Sequence, residues 1–79
     1  MRIDYVLLDN GFEGVFVDGQ RLMIATDMPF GTTPAWDVAD RLAVYTDSAL
    51  VEHENVPTPE GDPDGDAFWQ SVVEALHIV

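Results

Sequence analysis

Glu13-Gly14-Val15-Phe16-Val17-Asp18-Gly19-Gln20-Arg21-Leu22-Met23-Ile24-Ala25-Thr26 is the stretch that decides the fold. Two apolar runs flank Asp18-Gly19, a dipeptide favoured in two-residue type I′ hairpins because both central positions need positive φ. The turn fixes a register in which Val17 faces Gln20, Val15 faces Leu22 and Glu13 faces Ile24. Val15, Val17, Leu22 and Ile24 then share one face, and Phe12, Phe16 and Met23 share the other with Arg21. A sheet that is apolar on both sides is either covered twice or keeps an adhesive patch, and the pattern allows both.

Working outward, Arg2 to Leu8 alternates as a strand with Ile3, Tyr5 and Leu7 on one face, and Asp9-Asn10-Gly11 is a turn. Met28 to Pro34 reads as a loop, with Thr33 as N-cap and Pro34 at the first helical position. Ala35, Val38, Ala39, Leu42 and Tyr45 recur at helical spacing and predict a helix over Pro34–Thr46. Residues 49–53 read as a short strand. A Pro-, Gly- and acid-rich loop follows from Glu54 to Gly65, with Val56 as its one core residue. The last helix is expected over Pro63–His77, capped by Asp62 or Asp64, with Phe68, Trp69, Val72, Val73 and Leu76 as its apolar stripe. The expected fold is one α+β domain over residues 1–79: a small antiparallel sheet in the order β-β-β-α-β-α, with two helices packed on one face or one on each.

Seventy-nine residues suit one small core. Hydrophobic residues make up 47% of the chain, enough to argue against disorder in spite of its charge. The absence of cysteine removes disulfides, thiolate metal sites and thiol catalysis. No basic segment followed by an apolar one opens the chain, and no apolar run approaches membrane-spanning length, so a cytoplasmic protein is expected.

Charge is the informative quantity. Fifteen Asp and Glu stand against three basic residues, all arginine (Arg2, Arg21, Arg41), for a formal net charge of −12. Such a chain repels nucleic acid and anionic membranes and attracts cationic partners. Direct DNA or RNA binding is excluded on this ground, since phosphate contacts need Lys and Arg.

The constellations that carry familiar chemistry fail one by one. Glu60-Gly61-Asp62-Pro63-Asp64-Gly65-Asp66 resembles the start of an EF-hand loop. In the register from Glu60, however, Ser71 occupies the position of the bidentate Glu; in the register from Asp62, Ala67 replaces the glycine and Val73 the Glu. The bland alternative is a solvated turn leading into a helix. Glu52-His53-Glu54 alternates on a strand, so the imidazole points away from the two carboxylates. With two histidines and no cysteine, a zinc centre is not expected. Ser48 and Ser71 have no glycine-flanked elbow, no phosphate-cradling glycine motif occurs, and so short a chain offers little room for the apolar pocket that tunes a catalytic carboxyl pair. Neither catalysis nor a cofactor is expected.

What remains is the acidity. Asp37, Asp40 and Asp47 fall within about 80° on the first helix, with Arg41 placed to pair with Asp37. Glu52 and Glu54 lie about 6.5–7 Å apart on one strand face. Glu60, Asp62, Asp64 and Asp66 follow. Joined in space, these nine make a surface whose carboxylate spacing approaches that of successive phosphates on a DNA strand, and whose natural partner is a basic protein surface. Exposed Phe12, Phe16 or Phe30 would add apolar anchors. Two other readings use the same composition: acidity serving only solubility or a saline environment, and a non-catalytic binding or structural module that uses the apolar sheet face for a dimer or partner contact. Monomer and homodimer both remain open.

The opening Met1-Arg-Ile-Asp-Tyr-Val-Leu-Leu-Asp-Asn-Gly11 and the Val15-Phe-Val-Asp-Gly-Gln20 hairpin, in a very short acidic chain without lysine or cysteine, resemble the phage-encoded anti-CRISPR proteins. The likeness is to inhibitors of type I (Cascade) systems, type I-C among them. That group shares no common motif, so no residue roles transfer from it. The resemblance implies a DNA-mimicking inhibitor that binds the surveillance complex and keeps target DNA from docking, with carboxylates engaging the Lys and Arg that read phosphates and base edges.

Overall fold

A computed structural model describes residues 1–25 and 34–78. The strand end at Thr26, the loop read across residues 28–33, the Thr33 cap and the Phe30 anchor lie outside the described residues. Within them the order is β1 (Arg2–Leu8), β2 (Glu13–Val17), β3 (Gln20–Ala25), α1 (Pro34–Thr46), β4 (Ala49–Val56) and α2 (Asp66–Ala75). This is the expected α+β arrangement. The four described strands form one sheet in the order β3-β2-β1-β4.

The hairpin turn is as its sequence requires, with Asp18 at φ 49° and Gly19 at φ 83°. Asp18 is also tied to the start of β1. The Arg2 amide donates to its Oδ1 (2.8 Å), and its own amide donates to the Arg2 carbonyl (2.9 Å). The connection before it, from β1 to β2, is closed by Asn10, whose Oδ1 accepts from the Phe12 amide (3.0 Å), while Gly11 takes φ 92°.

Two expectations about the sheet are corrected. It is mixed rather than wholly antiparallel, because β4 runs parallel to β1, with Ile3 opposite Leu50 and Tyr5 opposite Glu52. The two hairpins bring β3 back to the direction of β1, and α1 is a crossover that keeps that direction, so β4 enters the sheet parallel to β1. The register of the hairpin also shifts. Val17 pairs with Gln20 and Phe16 with Arg21, as expected, but Val15 pairs with Met23, leaving Leu22 as an extra residue in a bulge. One inserted residue exchanges the faces of everything beyond it. Met23 therefore joins Val15 and Val17 under α1, Ile24 joins Phe16 under α2, and Leu22 is exposed.

One helix covers each face. On the α1 side, Ile3, Tyr5 and Val15 meet Ala35, Ala39 and Ala43. On the α2 side, Val6, Leu8, Phe16 and Val56 meet Phe68, Trp69, Val72 and Val73, with Ile78 closing the cluster. Phe16 is 1% exposed, and its ring lies 6.1 Å from that of Trp69. The apolar sheet face suggested as a dimer or partner contact is thus already occupied by α2, and Phe16 is no anchor. Phe12 too is partly buried against this core.

Both helices end in Schellman turns. After α1, Asp47 (φ 51°) donates to the Val44 carbonyl and Ser48 to that of Ala43; after α2, His77 (φ 55°) donates to the Glu74 carbonyl and Ile78 to that of Val73. α2 begins later than expected, at Asp66, and its N-cap is Gly65, which offers no side-chain cap. Asp62 folds the preceding turn instead, its Oδ1 accepting from the Asp64 amide (3.0 Å) and its carbonyl from the Gly65 amide (2.8 Å). β4 continues past residue 53 to Val56 by way of a second irregularity, where Asn55 takes φ 54° and Val56 turns inward opposite Leu8.

Candidate functional site

The sheet is acidic inside as well as outside. Glu13 sits in phase with Val15 and Val17 on the α1 face and is buried. Its Oε1 accepts from the Tyr5 hydroxyl (2.7 Å), and its Oε2 lies 3.4 Å from the Ala35 amide, which donates to it. A carboxylate held against the first turn of α1 satisfies a helix donor and suits the positive end of the dipole. Tyr5 is correspondingly hard to ionise. Burial raises its pKa well above the ordinary phenol value, and the hydrogen bond to Glu13 and the negative charges of Glu13, Glu54 and Glu52 raise it further.

Glu52 and Glu54 therefore share the α1 face of β4, near Tyr5. The Trp36 indole N–H donates to the Glu52 carboxylate and ties α1 to this edge strand. Asp40 follows Trp36 by one turn and stands on the same flank of α1; Asp37 lies one turn before it, further toward solvent. Asp37, Glu52 and Glu54 are exposed and Asp40 is half-exposed. Asp40, Glu52 and Glu54, backed by buried Glu13, make an acidic seam on the α1–β4 side, and Asp37 stands above them on the exposed crest of the helix beside Arg41. The ion pairs of the described residues all lie elsewhere, at Arg2–Asp4, Arg21–Asp66 and His53–Asp4.

The other five acids expected in the patch do not join this seam. Asp47 is exposed, but its left-handed backbone takes it off the helical spiral that would align it with Asp37 and Asp40. Asp62, Asp64 and Asp66 belong to the opposite face, on a segment pinned where the Trp69 indole donates to the Pro63 carbonyl (2.6 Å). Asp66 is engaged by Arg21 (2.7 Å), and Asp62 by its own turn. Glu60 is exposed in the connection from β4. Glu52 and Glu54 thus lie on the α1 face of the sheet, and Asp66, paired with Arg21, opens the helix that covers the other. The pairing of Asp37 with Arg41 is not formed among the described residues.

On the α2 face, Asp4 is fully buried in phase with Val6 and Leu8. Its Oδ2 accepts from Arg2 (2.9 Å) and lies 2.8 Å from His53 Nε2, while its Oδ1 has no partner among the described residues. His53 therefore points away from Glu52 and Glu54, as strand alternation requires. Among the described residues no group of three or more His, Asp or Glu side chains is placed to hold a metal ion, and no helix is long and apolar enough to cross a membrane.

The fold and seam define a class: a small α+β domain, covered on both faces, whose distinguishing feature is surplus negative charge. Compared with known proteins, the chain matches no family model, no curated protein and no solved structure.

Proposed function

We propose that this chain is a non-catalytic inhibitor, active in a bacterial host's cytoplasm, that occupies a basic protein surface normally reserved for nucleic acid. The surface that its sequence resemblance implies is that of a type I CRISPR surveillance complex, where the protein would stand in for target DNA. The observation that carries the reading is the α1–β4 seam. Asp40, Glu52 and Glu54 line it and Asp37 stands above it on the crest of α1, all four without ion-pair partners among the described residues, and the Glu52–Glu54 step is about 6.5–7 Å along one strand. Carboxylates so spaced offer Lys and Arg side chains much the same acceptors as a phosphate backbone. The zone of Asp62, Asp64 and Asp66 contributes less, because part of its charge is already engaged within the molecule.

The test is a titration of the protein into a purified type I complex before labelled target DNA is added. Stoichiometric loss of DNA binding is expected, weakening as salt is raised. The joint variant Asp37→Asn, Asp40→Asn, Glu52→Gln, Glu54→Gln should abolish the effect, and neutralising Asp62, Asp64 and Asp66 should leave most of it. A complex that still binds DNA normally in a large molar excess of the protein would overturn the reading.

A further inference from the structure

Helix α1 leaves several large apolar residues outside. It turns Ala35, Ala39 and Ala43 to the sheet, with Trp36 and Leu42 partly buried beside them, while Val38, Val44 and Tyr45 face solvent at 38%, 72% and 85% exposure. The buried alanines explain how the helix sits close to the sheet. Valine and tyrosine are poorer helix formers than the alanine, lysine or glutamate that usually occupy solvent positions, and burial gives them no compensation here. At 100° per residue, Asp37, Arg41 and Val44 form the crest of the helix, Asp40 its flank toward β4, and Val38 and Tyr45 its opposite flank.

We infer that this outer face of α1 docks onto a protein surface bearing arginine beside an apolar patch, with Tyr45 and Val44 making the apolar contact and Asp37 and Asp40 receiving the cations. Charge selects this occupant over a second copy of the chain, which would bring its own formal charge of −12 against the same face. Tyrosine presents a large, rigid, amphipathic surface and is enriched at interface centres. Its ring face also attracts a guanidinium, which stacks on it more readily than an ammonium does. The carboxylates alone would give fast, salt-sensitive encounter; a desolvated apolar contact across the crest of the helix, through Val44 and Tyr45, gives residence time. The inference rests on the proposed reading that the partner is basic, and adds where it docks and which cation it offers.

The experiment uses the full chain, isotope-labelled, titrated with an arginine-rich peptide containing interspersed leucines and with its lysine counterpart of equal charge. Chemical-shift changes should centre on Asp37 to Tyr45, and the arginine peptide should bind roughly 2–5-fold more tightly. The double variant Val44→Ala, Tyr45→Ala improves helix propensity, so circular dichroism should show an intact fold, while affinity falls at least about fivefold. Shifts centred on Asp62–Asp66, an unchanged affinity in the double variant, or a wild-type dimer held together through this face would each overturn the inference. Inhibition of a surveillance complex that survives the double variant would sink this docking face and leave the proposed function standing. Peptide docking on α1 with no effect on such a complex would do the reverse.

Discussion

Tyr5 and Glu13, neighbours on β1 and β2, meet beneath the start of α1 with the phenol donating to the carboxylate at 2.7 Å. Both are buried, so the bond fixes where the helix enters and keeps an acidic side chain satisfied inside the core. Tyr5→Phe leaves Glu13 short of a donor and should cost about 1.5–3 kcal/mol, the range for a hydrogen bond to a charged group. The same pair predicts an alkaline sensitivity. The folded-state pKa of Tyr5 is raised, so its contribution is fully present below the unfolded value of about 10 and is lost as pH rises beyond it. Urea midpoints at pH 9 and pH 11 should fall more steeply for the wild type than for Tyr5→Phe; equal slopes would contradict the linkage.

Gly14 predicts a second, purely steric effect. A Cβ built there lies 2.8 Å from Trp69 Cζ3 and 3.1 Å from Phe16 Cε2. Trp69 has little freedom to yield, because its indole is hydrogen-bonded to Pro63 and its ring is flanked by Phe16 and Phe68. Gly14→Ala should therefore destabilise by about 1–3 kcal/mol, with altered Trp69 fluorescence in the folded state. A neutral result would mean that α2 can lift from the sheet without cost.

The caps predict gains. Asp47 and His77 occupy left-handed positions that glycine takes without steric penalty, and Asp47 also sets a negative charge at the negative end of α1. Asp47→Gly and His77→Gly should each stabilise by about 0.5–1 kcal/mol in denaturant melts, after allowance for glycine's greater freedom when unfolded. The two changes lie on different helices and should add. If Asp47→Gly stabilises the protein while weakening partner binding, that aspartate is serving recognition at the expense of the fold.

Most of the fold was legible because local chemistry agreed with it. Asp18-Gly19 marked the hairpin, and Pro34 and the spacing of small and apolar residues marked α1 to its observed ends. The hairpin register was not legible, because a bulge at Leu22 depends on which of Leu22, Met23 and Ile24 the two helices cover, and all three are apolar. The α1 stripe differs from its period for a related reason: Val38 and Tyr45 fit the helical spacing, but close packing on the sheet favours the face of Ala35, Ala39 and Ala43. Among the site residues, Glu52 and Glu54 were found by strand alternation, and the same alternation points to two that were overlooked. Asp4 lies in phase with Val6 and Leu8, and Glu13 with Val15 and Val17, which marks both as inward-facing despite their charge. The separation of the loop acids from the seam was not readable, because it depends on the face that receives α2.

Asp4 carries a prediction of opposite sign to the usual one for a buried ion pair. One of its oxygens is shared by Arg2 and His53 and the other is unpartnered among the described residues, so desolvation is only partly offset. Its sheet neighbours are Phe16 and Val51, an apolar setting for a side chain of similar size. Asp4→Val should leave stability within about 1 kcal/mol of the wild type or raise it. His53→Ala keeps the buried carboxylate and removes one of its two partners, and should destabilise. Should Asp4→Val prove the worse of the two, the carboxylate is being compensated by contacts beyond these two residues.

The surplus charge makes a last prediction that concerns the fold and needs no partner. Fifteen acids face three arginines, and the seam sets Glu13, Glu52 and Glu54 around one phenol, so like charges repel at short range in the folded state. The Debye length falls from about 30 Å at 0.01 M to about 8 Å at 0.15 M salt, which screens the exposed members of that set. Relief on the order of 1 kcal/mol would raise the Tm of a domain this size by roughly 4–8 °C. Sodium chloride should produce the rise, and Glu52→Gln with Glu54→Gln should shrink it, since those two exposed side chains supply much of the repulsion that salt can reach. A Tm that falls with added salt would mean that attraction in pairs such as Arg21–Asp66 outweighs the repulsion. The seam would then not be the concentrated negative zone on which recognition of a basic surface depends.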